Sequence, residues 1–234
     1  MMAIRERVSL YNRYLKPRVG TVQPFRTYYL IMEGTNTEPS YFRLLERELL
    51  RRRVRNSIAI VYLERTARDR GSNTPRQLYG FLQAFRKEKN DPGGVYFMVF
   101  DRDSYKNHPD PKQSYLDFLK IIKGSGIRIL VTSPCFEIWL LLHRKNAYGE
   151  LVLPNERNLF RNKRISPAHT YISRLVVSAF GFNPKAGIPE GFLKNLDHAM
   201  EESKNLTSDP AEMAEKLGEN ISDFIREICS DLRY

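Results

Sequence analysis

Several things are scarce in this chain, and each scarcity removes a class of protein. It has two cysteines in 234 residues, Cys135 and Cys229. They lie far apart, form no CxxC, and have no histidine cluster at zinc spacing, which excludes a sequence-encoded zinc site or a disulfide framework. A reduced, cytoplasmic protein is the expectation. No stretch approaches the roughly 20 apolar residues that cross a bilayer, and residues 1–19 lack the apolar core of a signal peptide. No membrane role is expected. There is no GxxxxGK[ST] loop, so P-loop nucleotide hydrolysis is not expected, and GxSxG, HExxH and GxGxxG are missing as well.

Acidic residues are also in deficit. The chain has 38 Lys and Arg against 27 Asp and Glu, a net charge of +11. Residues 151–234 hold 11 of those bases and 12 of those acids, so the whole excess lies in residues 1–150. Such a field attracts polyanions, although a charge that serves only solubility fits the number equally well. Tyr11, Tyr14, Phe25 and Tyr28 stand among Arg13, Lys16, Arg18 and Arg26. That mixture suits base stacking with phosphate contact, or ordinary packing beside a basic tail.

The hydrophobic content of 41% is enough for a core. Apolar runs and turn signals alternate along the chain. Residues 1–25 read as a basic arm with one short helix. Strands are predicted at 27–32, 57–63, 95–100 and 127–132. Helices start at Pro39, at Thr74-Pro75, at Asp110-Pro111 and at Ser133-Pro134. A β-α-β-α order of this kind predicts an α/β fold with an open, mostly parallel sheet flanked by helices. That core spans 26–148. Residues 149–234 read as a helical C-terminal extension with helices at 167–180, 191–204 and 209–232.

Two acidic segments follow apolar strands. Glu33-Gly34-Thr35-Asn36-Thr37-Glu38 comes after Tyr28–Met32, and Asp101-Arg102-Asp103 comes after Val95–Phe100. Acidic residues at the carboxyl ends of parallel strands point into the crevice where α/β sheets bind ligands. Clustered carboxylates there suit Mg²⁺, with Mn²⁺ as a substitute. Asp101 and Asp103, at i and i+2 of an extended chain, face one side and repel each other unless a cation intervenes. Arg102 is a second way to neutralise them. Glu38 reads as a helix cap, and Glu33 as a ligand or base. Glu137, in the first turn of the most apolar helix, is a further site candidate. His143 on that helix is either a structural histidine, a proton shuttle or a phosphate contact. Arg65, Arg68 and Arg70 after the second strand, with Arg102, Arg144 and Lys145, are candidates for nucleic-acid phosphate.

The segments Glu33-Gly34, Thr37-Glu38-Pro39-x-Tyr41-Phe42, Val99-Phe100-Asp101-Arg102-Asp103 and Ser133-Pro134-Cys135-Phe136-Glu137-Ile138-Trp139-Leu140-Leu141-Leu142-His143 resemble the RloB-like proteins, which include AbiLii-type abortive-infection proteins. The resemblance covers about 26–145 and implies a divergent Toprim-like core. It implies metal or acid–base roles for Glu33, Asp101 and Asp103, and a role for Glu137. It further implies a Mg²⁺-dependent nuclease acting in phage defence, with DNA or RNA, tRNA among them, as substrate, beside a separate AAA- or ABC-type ATPase. A non-catalytic module that binds nucleic acid or that ATPase is the alternative, and nucleotidyl transfer a third.

Overall fold

A computed structural model describes residues 4–8, 26–52, 58–65 and 74–230. Its centre is a six-stranded sheet in the order β1-β3-β2-β4-β5-β6. The strands are β1 (Ile4–Val8), β2 (Arg26–Met32), β3 (Ile58–Arg65), β4 (Gly94–Asp101), β5 (Ile127–Ser133) and β6 (Gly218–Glu219). The four inner strands are parallel, and the two edge strands pair antiparallel. The open, mostly parallel α/β sheet expected from the sequence is therefore present.

Side chains alternate along the inner strands, and both faces are covered. Tyr28, Leu30, Met32, Phe97, Val99 and Leu130 belong to one core. Tyr29, Ile31, Tyr96, Met98, Phe100 and Val131 belong to the other. Burial on both faces is why these strands read as continuous apolar runs. The first face carries α1 (Thr37–Arg51), α4 (Glu137–Leu141) and α8 (Ile221–Ser230). The second carries α2 (Pro75–Lys89) and α3 (Pro111–Ile122). Both of these helices start as their residues demand. Pro75 sits in the first turn of α2, and Thr74 and Gln77 cap each other reciprocally. The Asp110 carboxylate accepts the Gln113 N–H at 2.9 Å to open α3.

Three expectations change. Residues 4–8, placed in an arm with a helix, form β1 against β3. Ile4 and Val8 enclose three charged residues in the sequence, and a partner strand decides the state of so short a segment. The helix expected from Ser133-Pro134 shrinks to the five residues of α4. His143 and Arg144 then make i→i−3 backbone bonds to Leu140 and Leu141, which tighten the chain into turns. Its all-round apolar character comes from a central position, with Ile138 through Leu142 fully buried. The helix expected over 209–232 is interrupted. Glu212–Ala214 make a single 3-10 turn, Gly218 and Glu219 return to the sheet as β6, and the α-helix covers Ile221–Ser230. The Asn220 side chain holds that return by bonding Val131 N and Ile129 O on β5.

Between these elements lie α5 (Glu156–Arg161), α6 (Tyr171–Phe180) and α7 (Leu196–Glu202). Residues 66–73, with Arg68 and Arg70, lie outside the described residues.

Candidate active site

β2 and β4 are neighbours in the sheet, and their carboxyl ends stop side by side. Glu33 is the first residue beyond β2. Its N–H donates to Val99 O at 2.9 Å, which delivers its side chain to the end of β4. One carboxylate oxygen accepts the Asp101 N–H at 3.3 Å. Both oxygens lie 2.6 Å from the Ser104 hydroxyl, which donates to them. Asp101 is paired in register with Thr132 of β5, and the Thr132 hydroxyl donates to its carboxylate at 2.7 Å.

Asp103 arrives by a different route than the pleat. The chain leaves β4 in a 3-10 turn, Arg102–Tyr105, so the i, i+2 rule for extended chain does not apply. The Asp103 N–H donates to Pro134 O at 2.9 Å, and its carboxylate pairs with Lys106 at 3.3 Å. This turn also supplies Ser104. Neither Ser104 nor Thr132 carried a signal in the sequence, because their role depends on which strand end lies beside which.

Asn36 is the N-cap residue of α1 and no side chain caps that start, so Glu38 is a first-turn carboxylate rather than the cap expected of it. It accepts the Gly34 N–H at 3.2 Å and is buried, 7% exposed. A Cβ at position 34 would collide with this carboxyl, so a side chain there would push the Glu38 carboxyl aside. Burial, then the charges of Glu137 and Glu33, raise the Glu38 carboxyl to about 7. Burial raises Asp101 well above the usual carboxylate range, and Glu38, Asp103, Glu137 and Glu33 add to the rise. Five carboxylates thus feel one another at the carboxyl edge of the sheet. Glu137, partly exposed in the first turn of α4, is among them.

The remaining candidates go elsewhere. His143 is fully buried. Its Nδ1 lies 3.1 Å from Trp139 O, its Nε2 lies 3.2 Å from the Tyr41 hydroxyl, and Phe192 stacks on its ring at 4.5 Å. Burial lowers its pKa to about 3, so it is a neutral structural ring with no exposed proton to shuttle. Arg102 is buried, with its guanidinium 4.3 Å over the Phe160 ring. Arg144 is exposed and paired with Glu150 at 3.0 Å, and Lys145 is exposed. Arg65 ends β3.

The donor set suits a hard divalent cation, because crowded carboxylates shed repulsion by sharing one. Among the described residues, no three acidic, histidine or cysteine side chains already stand as a closed ligand set. The Glu33 carboxylate is held by the Ser104 hydroxyl, which fixes its direction at the end of β4.

Fold and site together define an α/β protein with an acidic crevice at the carboxyl ends of its parallel strands. The model of the RloB-like protein family matches residues 28–230, and the chain belongs to that family. No curated protein and no solved structure matches it.

Proposed function

We propose that this protein is a Mg²⁺-dependent nuclease built on a Toprim-like core. The observation that carries this reading is the convergence of Glu33, Asp101 and Asp103, with Glu38 and Glu137 beside them, at the ligand-binding edge of the sheet. Glu33, Asp101 and Asp103 would hold the cation, which when bound polarises a phosphodiester and lowers the pKa of attacking water. Thr132 orients the Asp101 carboxylate, and Ser104 orients that of Glu33. Glu38 and Glu137 add to the negative charge that a cation or a proton balances. Glu38, raised to about 7, carries a proton part of the time at neutral pH. Arg102, with Arg65, Arg68, Arg70, Arg144 and Lys145, would meet substrate phosphates.

The test is incubation of the purified protein with DNA and tRNA in Mg²⁺ or Mn²⁺, beside an Asp101→Ala/Asp103→Ala double variant. Cleavage by the wild type that the double variant loses is expected. Equal cleavage by both would remove the site from the reaction. Binding without any cleavage would favour a non-catalytic subunit of an ATPase-partnered defence system. Ser104→Ala is expected to weaken the apparent Mg²⁺ affinity by about tenfold, because it frees the Glu33 carboxylate to swing. A Mg²⁺ titration of cleavage rate reads this. An unchanged half-saturation would mean that Ser104 does not position Glu33.

A further inference from the structure

Charge averages hide a basic cluster in the acidic half of the chain. Residues 156–170 carry Arg157, Arg161, Lys163 and Arg164 against one acid, Glu156. All four cations are exposed. Among the described residues none of them has an ion pair; Arg174, Lys185 and Lys194 of the same half have none either but stand singly along the chain, and Lys204, Lys216 and Arg226 are each paired with an acid. Unpaired neighbouring cations repel one another, and an incoming polyanion relieves that repulsion.

The cluster has a defined shape. Arg164 and Thr170 form an isolated antiparallel bridge, and the Ile165 N–H donates to His169 O at 3.0 Å. Tyr171 N–H donates to Lys163 O at 2.9 Å, so residues 163–171 make a closed, hairpin-like loop. Its base is fixed by Asn162, which is buried with a left-handed backbone, φ 38°. The Asn162 amide donates to Cys135 Sγ at 3.2 Å, and its oxygen accepts the Ile172 N–H at 3.1 Å. Cys135 follows Pro134, whose carbonyl accepts the Asp103 N–H. A short run of bonds therefore ties this loop to the acidic crevice.

Arg102 joins the two regions. It stands between Asp101 and Asp103, is 9% exposed, and rests its guanidinium on Phe160 of α5. Among the described residues it makes no hydrogen bond or ion pair, and its Nε is buried without a partner. A buried cation with no hydrogen-bonded anion is costly, and the nearby Asp103 charge and a ring face repay only part of that cost. An arriving phosphate oxygen supplies what is missing.

We propose that residues 157–170, which are α5 from Arg157 onward and the loop after it, form a docking surface for the sugar-phosphate backbone of a nucleic acid, which it leads across Arg102 to the acidic crevice. Arg157, Arg161, Lys163 and Arg164 contact successive phosphates, and Arg102 contacts the phosphate next to the crevice. The direction of the strand rests on the nuclease reading. The docking surface itself does not, because it holds whether or not the crevice cuts.

The experiment measures binding separately from cleavage. Fluorescence anisotropy in EDTA follows labelled single-stranded and duplex DNA and RNA over a range of salt. Three full-length proteins are compared: wild type, Arg161→Ala/Lys163→Ala/Arg164→Ala, and a control with the same charge loss, Arg174→Ala/Lys185→Ala/Lys194→Ala. All six positions are exposed, and circular dichroism checks the fold. The loop variant is expected to bind at least about tenfold more weakly. Its slope of log K against log salt should fall by about 2 on a single strand, from three lost contacts. The control should stay near wild type. Whether single strand or duplex shows the larger loss identifies the bound form. Unchanged binding and slope in the loop variant, an equal loss in the control, or no binding by the wild type would overturn the docking surface. Loss of binding in the loop variant alongside a wild type that never cleaves would keep the surface and remove the nuclease. Cleavage that depends on Asp101 with binding indifferent to the loop would do the reverse.

Discussion

Asp101→Asn should melt at a higher temperature than the wild type in EDTA, and should not gain from Mg²⁺ the stabilisation that the wild type gains. Asp101 lies in a crevice with four other carboxylates, and burial penalises its charge further. Asparagine keeps the oxygen that accepts the Thr132 hydroxyl and deletes the charge. Relief of about 1–2 kcal/mol in a chain of this size corresponds to a rise of about 3–6 °C. The wild type at Mg²⁺ a hundredfold above its dissociation constant should gain about 2.7 kcal/mol. The variant lacks one ligand of the proposed set, so its Mg²⁺-dependent shift should nearly vanish. Thermal melts with and without Mg²⁺ decide the matter. A variant that melts lower in EDTA, or that shares the full Mg²⁺ shift, would show that the crevice does not work as a cation site.

The metal-free protein should be most stable near pH 4.5–5 and should lose stability toward pH 8. Glu38 and Glu219 are both raised by burial to about 7, above their unfolded value near 4.3. The folded state binds more protons than the unfolded state between those values. Their stabilisation is complete below the unfolded pKa and is lost as pH rises through 7. His143 acts the other way. Its folded pKa of about 3 lies below an unfolded value near 6.5, so it adds stability as pH rises across that window. From pH 4.5 to 6.5 two carboxyls outweigh one imidazole, and the net slope is about −1.4 kcal/mol per pH unit. From 6.5 to 7 only the carboxyls act, and the slope doubles to about −2.7 kcal/mol per unit. The loss over the whole window is about 4 kcal/mol, with Asp101 pushing the same way. Below 4.5 the imidazole lowers stability as pH falls, and so do Glu48, Asp117 and Glu212, whose hydrogen bonds to basic side chains hold their carboxyls below the ordinary range. Urea unfolding in EDTA at several pH values measures this curve. Glu219→Gln should flatten its neutral limb, since it removes one of the two titrating carboxyls. Stability that climbs steadily to pH 8 would contradict the burial of these groups.

Glu219 also shows how a functional neighbourhood escapes a sequence reading. Nothing near residue 219 suggests a strand; the segment 209–232 carries Met213, Leu217, Ile221, Phe224 and Ile228 at helical spacing. Yet Glu219 is 1% exposed and lies in register with Thr132, the residue that orients Asp101. Its carboxylate accepts the Ser222 N–H at 2.9 Å at the start of α8. Helical periodicity describes the helix after residue 221 correctly. It cannot describe the two residues before it, whose state is set by hydrogen bonds to β5.

The inner strands and the helix starts were legible because their signals are local. β-branched and aromatic runs bounded by glycine and proline, and caps such as Thr74 with Gln77, act within a few residues. The placement of Glu33, Asp101 and Asp103 at the carboxyl ends of β2 and β4 was legible for a similar reason, because the two segments that hold them directly follow apolar runs. The positions of Ser104, Thr132 and Glu38 around them were not. Ser104 reaches Glu33 across 71 residues, and Thr132 reaches Asp101 across 31. Such pairs exist only once a strand order is chosen.

By itself, then, the sequence determined the α/β alternation, the carboxylates at two strand ends and the resemblance to the RloB-like family. These follow from hydrophobic periodicity and turn chemistry, which are properties of short segments. The tertiary structure alone decided that β2 and β4 lie side by side, that His143 is a buried neutral ring, and that Arg102 leans on Phe160 beside a basic loop from the acidic half of the chain. Those outcomes depend on which surfaces bury each other. That choice is made by packing over the whole chain, not by any window of residues along it.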